Sequence, residues 1–195
     1  MTKRKKNSHI FDRDPNDFYI EEMWCNTRLF EDHYFVGPVF DPACGSGRIV
    51  QAARAAGYDA NGSDIVDRCN GEFSVCDFLS DDWKNSNGAR SLVSNPPFKI
   101  ADKFIKKALT LDFLMIAMLL PAKWHMSARR SRWLKTTPLM LGATCVPRPS
   151  MPPGDMILAG TKPGSGKNDF SWYIWRKGNN SAPLMSWLDR DGGVK

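Results

Sequence analysis

The sequence lacks the residue patterns that would cross-link a small fold or hold a structural metal ion. Its five cysteines are odd in number, and no two of them form a Cys-x-x-Cys pair. The three histidines, His9, His33 and His125, show no ligand spacing either. We therefore expect neither a disulfide framework nor a metal site, and a reducing compartment suits this cysteine content.

Long hydrophobic runs are missing as well. The longest apolar run, Phe113 to Leu120, is too short to span a bilayer and indicates a buried strand. Four basic residues at positions 3–6 are not followed by the apolar core of a signal peptide. These absences predict no membrane attachment and a cytoplasmic location.

What the sequence does contain is an alternation of strand-like and helix-like patterns. Apolar and β-rich runs predict seven strands, at residues 39–41, 59–65, 73–76, 92–94, 113–120, 143–146 and 170–175. Helices are predicted over 48–56, 101–111 and 127–135, with a further one after residue 17. This order predicts an α/β fold, a mostly parallel seven-stranded sheet with helices on both faces. The alternating residues 170–175 suit a half-buried edge strand.

The chain length suits one domain. We expect a flexible basic arm at residues 1–16, a single domain over 17–177 and a loose tail over 178–195. Within the domain, residues 147–168 are rich in proline and glycine and predict a long loop.

Polar side chains fall where predicted parallel strands end, and ligands bind outside that edge of such sheets. Asp41, Asp64 and Asp77 end the first three strands, and Asn95 ends the fourth. Gly45 opens the first sheet helix, where the backbone can approach an anionic or nucleotide ligand. The third glycine of a dinucleotide fingerprint is replaced by valine at position 50, which disfavours a nicotinamide cofactor.

The loop Asn95-Pro96-Pro97-Phe98 is the second unusual stretch. Two consecutive prolines fix the backbone and have no N–H to donate. The carbonyl of Pro96 and the amide oxygen of Asn95 are thus left as acceptors, and an aromatic ring follows at Phe98. This combination is typical of a socket for a planar group that carries an amino function.

The stretch Asp-Pro-Ala-Cys-Gly-Ser-Gly at 41–47, followed by Asn-Pro-Pro-Phe at 95–98, resembles the N6-adenine DNA methyltransferases that use S-adenosylmethionine (AdoMet). The motif order resembles their γ class, and the short chain resembles phage and prophage members. The resemblance implies a Rossmann-like methyltransferase fold and a catalytic motif of Asn95, Pro96, Pro97 and Phe98. It implies cofactor contacts from Phe18, Tyr19, Asp41, Pro42, Ala43, Cys44, Gly45, Asp64, Ile65, Asp77, Phe78 and Asn95.

The implied reaction agrees with the residues. Adenine N6 is a poor nucleophile, and two acceptors on its hydrogens, from Asn95 and Pro96, would free its lone pair while Phe98 stacks on the base. A duplex substrate would require the adenine to be flipped out. RNA adenine methylation, protein glutamine methylation and a catalytically silent AdoMet- or nucleic-acid-binding module remain open alternatives.

The net charge of +6 favours a polyanionic partner. Candidate nucleic-acid contacts are Lys99, Lys123, Arg129, Arg130, Arg132, Arg148, Lys162 and Lys167. We expect no separate target-recognition domain in a chain of this length, so the loop at 147–168, the basic helix or a partner protein would supply specificity.

Overall fold

The computed structural model describes residues 17–85, 88–162 and 164–192 of the 195-residue chain. The basic arm expected at residues 1–16 lies outside this part of the chain. Within it, eight strands form one sheet, and helices pack on both faces. The α/β class expected from the sequence is confirmed.

The helices and strands follow one another in the predicted alternating order. In chain order they are α1 (Met23–Asp32), β1 (Val39–Asp41), α2 (Arg48–Ala55), β2 (Ala60–Asp64), β3 (Ser74–Val75), β4 (Ser91–Ser94), α3 (Ala101–Thr110), β5 (Met115–Pro121), a 3₁₀ turn (Trp124–Met126), α4 (Ala128–Leu134), β6 (Leu139–Val146), α5 (Gly154–Leu158), β7 (Phe170–Arg176) and β8 (Leu184–Asp189).

The sheet is mostly parallel, with the strand order β3-β2-β1-β4-β5-β7-β6-β8. Strands β1 to β5 pair in parallel, β7 runs antiparallel to both of its neighbours, and β8 pairs in parallel with β6. Among the described strands only β7 is therefore reversed. The predicted count of seven strands is one short.

Strand β7 is interior, so the prediction of a half-buried edge is wrong. It is bonded to β5 on one side and to β6 on the other, and all its residues except Arg176 are buried. Trp172 and Ile174 pack into the core on one face, while Tyr173 and Trp175 pack into the core on the other. The Ser/Tyr/Trp alternation thus reflects two covered faces rather than one solvated face.

Strand β8 occupies part of the tail that the sequence predicts to be loose. Residues Leu184–Asp189 pair with β6 from Leu141 to Val146, so the domain extends past its expected end at residue 177. Leu188 is fully buried in the core, whereas Met185 and Trp187 are exposed. A single inward apolar side chain is too weak a periodic signal to predict a strand.

Helices cover the sheet from two sides and create two core clusters. Leu29 of α1 and Ile49 of α2 belong to one cluster, and Phe104 and Ile105 of α3 belong to the other. The apolar stripe of α3 at helical spacing explains this burial, since its lysines face outward. No helix in the described ranges is long and apolar enough to cross a membrane.

The topology brings five strand ends to one edge of the sheet. Because β1 to β5 are parallel, their carboxyl ends and the loops that follow them lie along this edge. The connection from β6 to β7 leaves and returns at the same edge, since Phe170 pairs with Pro121 at the end of β5. That connection, predicted to be a loop throughout, contains the short helix α5.

Candidate active site

A cavity of about 200 Å³ opens at the carboxyl edge of the sheet. All twelve residues that the sequence predicts as cofactor contacts line this cavity. Its wall also carries four charged residues that the sequence did not single out, namely Asp17, Glu21, Arg48 and Arg68.

The loop between β1 and α2 needs its glycines for conformation and for close packing. Gly45 has φ +51° and Gly47, the N-cap of α2, has φ +76°, both in the left-handed region that favours glycine. A Cβ on Gly45 would lie 2.9 Å from the ring of Phe18. The N-terminal segment is therefore packed directly against the glycine loop.

Asp41 links β1 to β4 beneath the cavity. Its carboxyl is buried, and its Oδ1 accepts hydrogen bonds from Ser94 Oγ at 2.7 Å and from the backbone N–H of Ala43 at 3.0 Å. Burial raises the pKa of Asp41 to about 8, despite these two hydrogen bonds, because the charged form loses its hydration. Asp41 therefore keeps its proton to a higher pH than a solvated aspartate does.

Asp64 holds the glycine loop in addition to lining the cavity. Its Oδ2 accepts from the N–H of Gly45 at 2.9 Å. Its Oδ1 accepts from the N–H of Val66 at 3.0 Å and from Arg68 at 2.9 Å. A carboxylate offers about four lone-pair sites, so one acceptor position remains for a ribose hydroxyl.

Arg68 connects Asp64 to the N-terminal segment. Its guanidinium lies 4.0 Å from the ring centroid of Phe18, and it forms an ion pair with Asp64 in which both side chains are largely buried. Arginine stacked on an aromatic ring and paired with a carboxylate is held in one orientation. This contact encloses one side of the cavity.

The third strand end contributes an apolar wall. Asp77 is exposed and its Oδ1 accepts from the N–H of Leu79 at 2.8 Å. Phe78 is buried against Trp83 and Phe104, and it lines the cavity from the core side. Ile65, which is 57% exposed, lies at the mouth. An apolar slot beside an acceptor suits a purine ring.

Asn95 is oriented by the segment that precedes α1. Its Nδ2 donates to the backbone oxygen of Tyr19 at 3.0 Å and to Glu21 Oε2 at 2.8 Å. Both partners can only accept in this arrangement, so the nitrogen must face them and Oδ1 is the group left for another molecule. The sequence predicts the role of Asn95 but not these partners.

The rest of the catalytic motif is divided with respect to the cavity. Pro97 lines it with Asn95, whereas Pro96 is buried and neither Pro96 nor Phe98 is part of the lining. Phe98 is half-buried, and its ring is parallel to that of Tyr19 with centroids 6.3 Å apart; Phe170 lies 5.7 Å away on β7. Stacking of Phe98 on a substrate base stays a prediction.

The predicted nucleic-acid contacts divide into paired and unpaired groups. Arg129 and Arg130 both bind Asp102, at 2.6 and 2.8 Å, and Arg148 binds Asp169 at 2.6 Å. Lys99 Nζ lies 3.8 Å from Asp17. The remaining four are exposed without an ion pair to another described residue: Lys123, Arg132, Lys162 and Lys167.

The site residues that sequence analysis missed flank the pair Phe18-Tyr19. Asp17 is buried with φ +54°, and its Oδ2 accepts from the N–H of Lys99 at 3.2 Å. Glu21 is also buried. Sequence analysis could have considered Asp17 and Glu21 because they lie beside Phe18 and Tyr19. No periodicity indicates, however, that these two acids reach the loop after β4.

The fold resembles those of solved methyltransferases. A type I restriction-modification methyltransferase subunit from Streptococcus thermophilus aligns with a TM-score of 0.57 at 13% identity over 92% of this chain and 49% of its own. The M protein of the type I restriction enzyme EcoKI gives 0.60 at 11% identity, over 90% and 49%. A protein of Pyrococcus horikoshii named as a candidate RNA methyltransferase gives 0.52 at 14% identity, over 80% and 81%.

These similarities define the class of fold. The chain has the α/β fold of methyltransferases, as the sequence predicts, and spans about half the length of the two type I proteins, 49% in each case. No protein-family model matches the sequence, and no curated protein is similar to it.

Proposed function

We propose that this protein transfers a methyl group from AdoMet to the N6 amino group of adenine in DNA. The observation that carries the proposal is the state of Asn95. Its amide N–H groups are both committed to Tyr19 and Glu21, so its oxygen is left as an acceptor beside the cavity at the carboxyl edge of the sheet.

The cavity residues fit AdoMet. Asp64 retains an acceptor position for a ribose hydroxyl, Ile65 and Phe78 form an apolar wall for the adenine ring, and Gly45 keeps the loop close to the ligand. When bound, AdoMet supplies an electrophilic methyl group on a sulfonium sulfur and leaves as a neutral thioether.

The motif at 95–98 then acts on the amino group of the target. Asn95 Oδ1 and the Pro96 carbonyl accept its two hydrogens and localise the nitrogen lone pair, while Phe98 stacks on the base. The proton released from nitrogen leaves through one of these acceptors to water. Most of the rate enhancement comes from holding the amino group in line, as expected for positioning catalysis.

The basic edge supports a nucleic acid as the substrate, and the similarity to type I subunits favours DNA within that class. Lys123, Arg132, Lys162 and Lys167 are exposed and lie in the segments that follow β5 and β6, at the same edge of the sheet as the end of β4 that carries the catalytic motif. Two of the similar structures are methyltransferase subunits of type I restriction systems. We propose that specificity comes from these loops or from a partner protein, and that a duplex substrate has its adenine flipped out.

The variant Asn95→Ala distinguishes an enzyme from a silent binding module. We expect methyl transfer to DNA to fall at least about a hundredfold, as for loss of one preorganised polar group in other active sites. AdoMet binding, measured by calorimetry, should be retained, because the other eleven implied cofactor contacts are unchanged. Wild-type protein that binds AdoMet but methylates neither DNA, RNA nor protein would contradict the proposal.

A further inference from the structure

Glu21 is a buried acid held by two side-chain amides. It is 5% exposed, its Oε1 accepts from Asn26 Nδ2 at 2.7 Å, and its Oε2 accepts from Asn95 Nδ2 at 2.8 Å. No lysine or arginine of the described chain forms an ion pair with it. A buried carboxylate without a cation is costly, so a purely structural anchor would be better served by a neutral residue.

The contact with Glu21 determines which end of the Asn95 amide faces the substrate. If the amide were rotated by half a turn, its oxygen would oppose the Tyr19 carbonyl and the Glu21 carboxylate, both of which are acceptors. The rotated state is therefore strongly disfavoured. Oδ1 stays directed away from these two groups and available to a bound amino group.

The charge of Glu21 also strengthens that acceptor. A carboxylate that accepts an amide N–H polarises the amide and increases the negative charge on its oxygen, as in cooperative hydrogen-bond chains. A more basic Oδ1 accepts a hydrogen from the target nitrogen more strongly as that nitrogen begins to bond to carbon.

We propose that Glu21 is a positioning residue that orients and polarises Asn95 for methyl transfer. This inference rests on the proposed function only in taking Asn95 as the acceptor for the substrate amino group. Arg48 supports the arrangement, because its guanidinium donates to the backbone oxygen of Glu21 at 2.7 Å and fastens the segment to α2.

The primary test compares Glu21→Gln with Glu22→Gln. Glutamine at position 21 replaces one of the two acceptor oxygens by an NH₂ donor and removes the negative charge, so we expect kcat to fall roughly tenfold to hundredfold. The neighbouring Glu22 binds the N–H of Ser150 at 2.9 Å, lies outside the cavity lining and should leave kcat unchanged. A raised AdoMet Kd with unchanged kcat in Glu21→Gln would assign this acid to cofactor binding and overturn the inference.

A reversed pair provides the second test. Asn95→Asp alone places two carboxylates within hydrogen-bond distance and should be nearly inactive. Adding Glu21→Gln restores a donor opposite an acceptor, so the double variant should be more active than Asn95→Asp. Equal activity of the two would contradict the positioning role.

An activity-independent readout separates this inference from the proposed function. The side-chain amide NMR signals of Asn95, assigned by their loss in Asn95→Ala, should shift in Glu21→Gln and not in Glu22→Gln. Unshifted signals overturn the inference even if the wild-type enzyme methylates DNA. If the signals shift but the protein methylates no adenine, the contact between Glu21 and Asn95 is supported and only the proposed function is overturned.

Discussion

At Asn95 and Asp41 the sequence predicts the position of a residue in the fold but not its hydrogen-bond partners. Both follow short apolar runs, and the parallel sheet places both at the cavity as predicted. The partner of Asn95 was not predictable, because Glu21 lies 74 residues earlier and no local pattern encodes a contact of that range. The residues at strand ends can be predicted from sequence. The side chains that orient those residues, as Glu21 orients Asn95, are brought there by tertiary packing.

Asp41 should make stability depend on pH. Its pKa is raised from 3.8 to about 8 in the folded state, so between these values the folded protein binds more protons than the unfolded chain. The free energy of unfolding should therefore fall as the pH rises through this window. Urea unfolding of the cofactor-free protein at several pH values between about 5 and 8 measures the slope.

The matched variant is Asp41→Asn, which keeps an oxygen for the hydrogen bonds from Ser94 and Ala43 but cannot ionise. We expect its unfolding free energy to vary less with pH than that of the wild type over the same range. Identical slopes in the two proteins would mean that Asp41 is ionised in the folded state.

At the scale of elements, the loop between β6 and β7 is joined to the segment before α1, residues 17–22. The N–H of Gly154 donates to the Phe18 oxygen at 2.8 Å, and Tyr19 forms a bridge with Pro153. The side-chain ring of Phe18 packs against the glycine loop and the Arg68 guanidinium. The part of the chain proposed to contact DNA is therefore hydrogen-bonded to Phe18, which lines the cavity.

We expect Gly154→Ala to weaken AdoMet binding. A Cβ at this position would overlap the Phe18 ring, so either the loop or the ring must move. Phe18 lines the cavity, so a displaced Phe18 ring or loop changes the cavity wall and should raise the AdoMet Kd. Isothermal calorimetry with AdoMet measures the change.

Gly164→Ala is the control for this variant, since it lies in the same loop and its Cβ would meet nothing within 4 Å. Its AdoMet affinity should match the wild type. If both variants bind AdoMet as the wild type does, the loop and the cofactor cavity are not coupled through Phe18.

The errors in predicting elements have a physical cause. The sequence of β7 alternates residue types, yet both of its faces are covered, by clusters that include Trp172 and Trp175. Of the apolar residues of strand β8, only Leu188 is buried, and the others are exposed. Periodicity reports one solvated face, so it misplaces a doubly buried strand and overlooks a strand with one inward side chain.

For the molecule as a whole, the positive charge is less available than the sequence suggests. Arg129 and Arg130 share Asp102, and Arg130 also lies over the Trp124 ring at 5.1 Å. Composition counts charges but cannot show which are paired within the fold. Arg130 is thus better placed to support α4 than to contact a phosphate.

We expect replacement of Lys123, Arg132 and Lys167 by glutamine to weaken DNA binding and to reduce its salt dependence. The slope of log K against log salt is negative, and each DNA phosphate that the variant no longer neutralises should reduce its magnitude by about 0.9. Fluorescence anisotropy with a duplex oligonucleotide at several salt concentrations gives both quantities.

A control of equal charge replaces Arg54, Arg90 and Lys177, which lie near the amino ends of β2, β4 and β5. This opposite edge should not contact DNA, so the slope should stay near that of the wild type. Equal loss of affinity and slope in both triple variants would indicate nonspecific attraction by net charge rather than an interface at the site edge.

The most direct measurement is methyl transfer from labelled AdoMet to duplex DNA, single-stranded DNA, RNA and a protein extract in parallel, followed by nucleoside or amino-acid analysis of the labelled material. We expect N6-methyl-2′-deoxyadenosine in DNA, and its loss with Asn95→Ala. Label confined to RNA adenine or to protein glutamine would contradict DNA as the substrate, and no label in any arm from a protein that binds AdoMet would contradict methyl transfer itself.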